Sequence, residues 1–269
     1  MDVVARARSA VAGRLVVVTG ASSGIGRASV QMLAPAGARL VVVARRESLL
    51  EQVAADARAL GSEVATYAVD LRDTVAAAAC ARAVVSEHGI PDVVVANAGQ
   101  SMSRGVLDYV DRFDAIERTA GVNYLGAVAF LLPFLRPMAD RGSGHVVGVT
   151  TVNARVPLPG WSPYCASKAA FDVWLRCVGP ELRGRGIATT IIEFPLVDTP
   201  MVRPVYGPRP PLAMSPERAA RWVCRAVVDR PAQLSPWWAR PAQVLTAAAP
   251  IASARLVGRF SMRRRPQGR

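Results

Sequence analysis

The sequence predicts one α/β domain, a doubly wound parallel sheet with helices on both faces. Three observations carry this. Six short apolar runs recur between residues 12 and 229, each as long as a strand buried on both faces. A segment of helical length separates most of them. A glycine-rich turn over residues 20–26 joins the first run to the first helical segment. Strands alternating with helices require right-handed crossovers. In such sheets ligands bind beyond the carboxyl ends of the strands.

Leu15-Val16-Val17-Val18-Thr19 is the first strand, followed by a helical pattern to about residue 36. Residues 39–44 form the second strand and 47–60 a helix stopped by Gly61. Residues 64–69 are strand three. Residues 74–88 form a helix with Gly89 and Pro91 as stop signals. Residues 92–96 are strand four. A long helix over 111–132 is expected to break at Pro133 and Pro137. Residues 145–149 are strand five, 163–182 a second long helix, and 187–194 strand six. Pro200, Pro204, Pro208, Pro210 and Pro211 predict an irregular loop or lid. Ser215-Pro216-Glu217 opens a helix, with Ser as N-cap and Pro at its first position, running to about Asp229. Residues 230–269 read as a Pro-interrupted basic extension.

Composition bounds the function. The chain has 269 residues, 51% hydrophobic and 20% charged, which is globular and not disordered. No uninterrupted apolar run reaches the roughly 18–20 residues of a membrane span. Met1-Asp2-Val3-Val4-Ala5-Arg6 places an acid and an arginine where a secretory apolar core would sit, so no signal peptide is expected. Cys80, Cys165, Cys177 and Cys224 lack CxxC spacing, and His88 and His145 are the only histidines. No zinc site or disulfide framework is expected, and the thiols read as those of a cytoplasmic protein.

The net charge of +13 is mostly a property of the extension, where residues 230–269 hold eight arginines and no acid. A nucleic-acid protein spreads its basic residues over a working groove, so no nucleic-acid partner is expected. Of the 33 basic residues 32 are arginine, and the single lysine is Lys168. A lysine surviving alone in an arginine-rich chain points to a need for a compact ammonium that guanidinium cannot imitate.

Gly20-x-x-x-Gly24-x-Gly26, with Ser22, Ser23 and Ile25 between, lies between a strand and a helix. Glycine allows backbone to approach a pyrophosphate, and the helix N-terminus offers free N–H groups. Strand two ends in Ala44-Arg45-Arg46. An acid there would accept a ribose 2′-hydroxyl, whereas arginine accommodates a 2′-phosphate, so NADP(H) is favoured over NAD(H). Asp70, followed by Leu71, is read either as an acceptor for the adenine amino group or as an ordinary turn aspartate.

Tyr164-Cys165-Ala166-Ser167-Lys168 opens the second long helix, and positions i and i+4 share a face. A phenol near pKa 10 is a poor base at neutral pH. The neighbouring ammonium is expected to lower that value.

Together, Gly20-x-x-x-Gly24-x-Gly26, Asn97-Ala98-Gly99, Asn123 and Tyr164-x-x-x-Lys168 resemble the short-chain dehydrogenases/reductases in order and spacing, over about residues 12–229. The resemblance implies a Rossmann-type NAD(P)-binding domain and an oxidoreductase acting on carbonyl or alcohol groups. It implies that Tyr164 is the general acid/base, that Lys168 also holds the nicotinamide ribose, and that Asn123 supports a water for proton relay. Asn97, Ala98 and Gly99 would line the cofactor. The family's hydroxyl residue, usually Ser, falls thirteen residues before the tyrosine, on Thr151. Pro195, Val197 and Thr199 fall in the loop expected to touch the nicotinamide carboxamide, although that loop is a residue shorter than in the family. The family's C-terminal strand, with its Asp-Gly-Gly, is expected to be absent.

Glu193-Phe194-Pro195-Leu196-Val197-Asp198-Thr199-Pro200-Met201 and Leu212-Ala213-Met214-Ser215-Pro216-Glu217 look like one branch in particular, which includes fatty acyl-CoA reductases. That implies an apolar carbonyl substrate: a ketone, an aldehyde or an acyl thioester. A homodimer or homotetramer paired through the two long helices is also implied. The alternative class is a catalytically silent NADP-binding regulatory protein on the same fold. The extension interleaves apolar residues with arginines, which suits either peripheral contact with an anionic membrane or a frayed basic tail. Trp237-Trp238 either covers a pocket mouth or packs.

Overall fold

In a computed structural model, which describes residues 3–208 and 210–262, seven parallel strands form one sheet in the order β3-β2-β1-β4-β5-β6-β7. The strands are β1 (Leu15–Thr19), β2 (Arg39–Ala44), β3 (Val64–Ala68), β4 (Val93–Ala96), β5 (Gly144–Thr151), β6 (Ile187–Phe194) and β7 (Gln233–Leu234). Successive side chains on a strand point to opposite faces, and β1 shows the consequence. Val16 and Val18 pack into one core with α1 (Val3–Val11), α2 (Gly24–Leu33), α3 (Glu47–Ala59) and α9 (Pro216–Asp229). Leu15 and Val17 pack into the other with α4 (Thr74–His88), α6 (Gly126–Arg141) and α7 (Ser162–Arg183). The doubly wound arrangement expected from the sequence is therefore the one observed. The chain order reverses between β1 and β4. A ligand crevice opens at such a switch point.

Several elements depart from expectation. The helix expected to break at Pro133 and Pro137 does not. Phe113–Ala120 (α5), a π-turn over Gly121–Leu125 and α6 form one continuous helix, Phe113–Arg141. An interior proline costs about 3 kcal/mol. Against that, Phe130, Leu131, Phe134 and Met138 on α6 are buried, at about 1.5–3 kcal/mol each. By length and hydropathy the continuous helix would pass for a membrane span, yet this stripe lies against the sheet core.

The proline-rich stretch after residue 200 is not wholly irregular either, since Arg203–Tyr206 makes one helical turn (α8). Ser215 caps α9 as expected, its side chain accepting from the Arg218 N–H at 3.2 Å. The extension contains the strand thought absent. β7 pairs with β6 through Ile191 and Ile192, without an Asp-Gly-Gly. Two helices follow, α10 (Ala239–Ala248) and α11 (Pro250–Met262). Residues 263–265, the closing arginines of the expected tail, lie outside the described residues.

Candidate active site

At the carboxyl ends of β1 and β4 the chain builds a cleft of about 460 Å³, within the usual range for small-molecule sites. Every expected site residue except Gly26 and Asn123 lines it. Those two stand directly behind its wall.

The glycine-rich turn explains one end. Gly20 adopts φ +66°, a conformation side chains rarely take, and Gly24 adopts φ +54°. A Cβ on Gly26 would fall 2.3 Å from the Gly20 carbonyl oxygen, so any other residue would push the turn open. Asn97 ties this turn to β4. Its Nδ2 donates to the Thr19 carbonyl at 2.9 Å, while the N–H groups of Asn97 and Ala98 both donate to Thr19 Oγ1 at 3.0 Å. Across the cleft, Thr199 would touch a Cβ on Gly24 at 2.9 Å, so the loop after β6 closes onto the turn.

At the β2 end, Arg46 reaches back to Ser23 Oγ at 3.2 Å and Ser22 Oγ at 3.4 Å. Arg45 stands 3.8 Å from Asp70, its side chain mostly exposed. The Asp70 carboxylate is gripped by Arg72, which holds it below the usual carboxylate range. An adenine amino group would have to share that acceptor. A cradle that admits no Cβ and the N-terminus of a ten-residue helix together fit the pyrophosphate of a dinucleotide.

The other end holds the phenol. Tyr164 and Lys168 lie one turn apart on α7. Lys168 is 4% exposed and its ammonium donates to the Val149 carbonyl at 2.8 Å. Thr151, the last residue of β5, lines the cleft with Tyr164, and its hydroxyl donates to the Phe194 carbonyl at 3.3 Å. Its neighbour Thr150 instead donates to Ile192 on β6. Asn123, fully buried in the π-turn, braces this wall. It accepts from the Gln100 N–H at 2.8 Å and donates to the Gln100 carbonyl and to Ser167 Oγ, both at 2.9 Å. Both of its N–H groups are thus spent on protein. Such π-turns recur at functional sites.

The electrostatics correct one expectation. Without ligand the Tyr164 phenol is not lowered. Burial pushes it up to about 12, with the Thr151 hydroxyl only partly opposing. Burial also pushes the Lys168 ammonium down to about 8. Desolvation disfavours whichever form carries charge, and it is the largest cause at both groups. At neutral pH the phenol keeps its proton, with Lys168 one helical turn further along α7.

The family model for short chain dehydrogenases matches residues 14–208. The chain is a short-chain dehydrogenase/reductase. It is similar to the fatty acyl-CoA reductase of Acinetobacter baylyi, 35% identical over 243 residues, covering 90% of this chain and 82% of that one. It is also similar to a fatty acyl-CoA reductase of Mycobacterium tuberculosis, 33% identical, covering 83% of this chain and 76% of that one. Among solved structures, a metagenomic short-chain oxidoreductase in complex with NADP superposes with a TM-score of 0.73 at 28% identity, covering 84% of this chain and 97% of that one.

The cleft of this dehydrogenase also has an aromatic wall outside the motifs. Trp161 stacks on Tyr206 of α8, with ring centroids 6.0 Å apart, and meets Tyr164 edge-on at 6.1 Å. Of the pair expected either to cover a pocket mouth or to pack, Trp238 lines the cleft, whereas Trp237 is 86% exposed. Trp161 is the N-cap residue of α7, outside the helix proper, so helical spacing from the tyrosine does not mark it. The buried carboxylates of Asp172 (α7) and Glu193 (β6) sit between Arg155 and Arg176, at 2.8–3.3 Å. Asp172 and Arg176 are an i,i+4 pair. Arg155 and Glu193 have no sequence signal linking them to it.

Proposed function

We propose that this short-chain dehydrogenase is an NADP(H)-dependent reductase of an apolar ketone, aldehyde or fatty acyl thioester. The observation that carries the reading is that Tyr164, Thr151 and Lys168 line the wall of a cleft that runs on to the glycine cradle. Bound NADPH would supply the hydride. Tyr164 Oη gives its proton to the carbonyl oxygen as that oxygen gains charge. Thr151 Oγ1 donates a hydrogen bond to the same oxygen. Lys168 stabilises the phenolate left behind, and Asn123 holds the Gly99–Gln100 wall against α7. Trp161, Tyr206 and Trp238 give the substrate end its aromatic, mainly apolar lining, and the relatives named fatty acyl-CoA reductase support an acyl chain there. The test is NADPH oxidation against ketones, aldehydes and long-chain acyl-CoA. NADPH binding with no turnover across that panel would mark a silent NADP-binding protein instead.

Thr151→Val keeps the shape of the side chain and deletes its hydroxyl. It is expected to lower kcat/KM by about 10²–10³-fold, the scale of one preorganised donor. Thr151→Ser is expected to retain activity. Both should bind NADPH normally in a fluorescence titration. Wild-type turnover by the valine variant would remove Thr151 from the mechanism.

For the cofactor, β2 ends without an acid and Arg45 extends into solvent at the cleft edge. NADPH is expected to bind more tightly than NADH. A hydrogen bond to a charged group is worth about 1.5–3 kcal/mol, so the preference should be about 10–100-fold. Arg45→Asp should reverse it. Equal affinities in the wild type would refute NADP selectivity.

A further inference from the structure

Helix α10 turns an apolar face to solvent. Its rotation is set from inside. Ala239 is fully buried, and Gln243 Nε2 donates at 2.8 Å to Glu193, itself fully buried. At 100° per residue, Pro241, Val244, Leu245 and Ala248 then lie on the opposite side. Val244 is 69% and Leu245 57% exposed, and Trp237, on the turn leading in, is 86% exposed. Ile251 at the start of α11 is also largely exposed. The outer face of a surface helix is ordinarily polar, and this one has no acid to make it so.

Two further observations say what covers it. Arg240 on α10 and Arg255 on α11 are exposed beside the apolar residues, and residues 230–269 carry eight arginines without an acid. A second copy of this face would therefore bring arginine against arginine, whereas an anionic surface neutralises them. In addition, the face is continuous with the cleft. Trp238, next to Trp237, lines the cleft alongside Met201 and Tyr206 and is itself 41% exposed.

Exposed tryptophan, aliphatic side chains and arginine on one helix face are the composition of an element lying in a lipid–water interface. We propose that the outer face of α10, with Trp237, docks on an anionic lipid bilayer and sets the mouth of the cleft at that surface, so that an apolar substrate enters from the lipid. The entry route rests on the apolar-carbonyl reading above, but the docking itself does not.

The test is co-sedimentation of the full chain with vesicles of phosphatidylcholine, alone or mixed with phosphatidylglycerol. The protein is expected to pellet with the anionic vesicles. The triple variant Trp237→Ser, Val244→Ser, Leu245→Ser should partition at least about tenfold more weakly. Its Tm, and its turnover of a water-soluble short-chain aldehyde, should match the wild type. No pelleting of the wild type would overturn the proposal. So would equal pelleting of the variant with loss in salt, which would show arginine attraction alone. A concentration-dependent dimer abolished by the variant would show that a second copy covers the face, and would overturn it too. Failure of the reductase reading is seen separately, as a wild-type enzyme that pellets but turns over no soluble carbonyl.

Discussion

The Tyr164→Phe variant is expected to lose about 10²–10⁴-fold in kcat, the range for removing a positioned general acid. The ring would keep its edge-on contact with Trp161, so the fold and the cofactor site should be untouched. Burial pushes the phenol up to about 12, which leaves it protonated at neutral pH. It is therefore set to give a proton in carbonyl reduction. In the oxidative direction it must first lose that proton, and the wild type should run better as the pH rises. The measurement is kcat for NADPH oxidation together with NADPH affinity. A variant that binds NADPH normally and turns over like the wild type would assign the proton to another group, with a water in the cleft the first candidate.

Lys168 carries the second large effect. Its ammonium is enclosed, donates to the Val149 carbonyl and stands where a Cβ on Gly99 would meet it at 3.4 Å. A guanidinium is planar and wider, and cannot occupy that space without displacing the Gly99–Gln100 wall. Lys168→Arg should therefore fail almost as badly as Lys168→Met, each losing about 10²-fold or more in kcat, the lower bound for groups that assist proton transfer. The sign with pH follows from burial. An ammonium lowered to about 8 is charged below that value and neutral above it. Wild-type reductive turnover should fall as pH rises through about 8, and Lys168→Met should show no such limb. Retention of near wild-type kcat by the arginine variant would show that the lone lysine has no special role.

These expectations rest on parts of the site that differed in how legible they were. Tyr164 and Lys168 share a face because they are one helical turn apart, and the glycine turn can be read from its place between an apolar run and a helix. The brace around Asn123 could not be. Gln100, Asn123 and Ser167 come from a loop, a π-turn and a helix, and no periodicity relates them. Nor could the pKa of the phenol. The sequence shows an ammonium nearby, but burial is a sum over everything packed around the ring, and it reversed the expected direction.

The same division runs through the fold. Local sequence by itself determined the first six strands, the cap at Ser215 and the left-handed turn at Gly20, because each is a property of a few adjacent residues. Only the tertiary structure decided that α6 continues through Pro133 and Pro137, since the offsetting burial comes from the sheet. It also decided that Gln233 and Leu234 extend that sheet. Two residues carry no alternation, and β6 supplies the partner edge. The outward face of α10 belongs here as well. Its composition is visible in the chain, but which side faces water was settled by Gln243 reaching the buried Glu193, fifty positions earlier in sequence. Spacing reports what neighbours along the chain can share, while burial and long-range hydrogen bonds exist only once the chain has closed on itself.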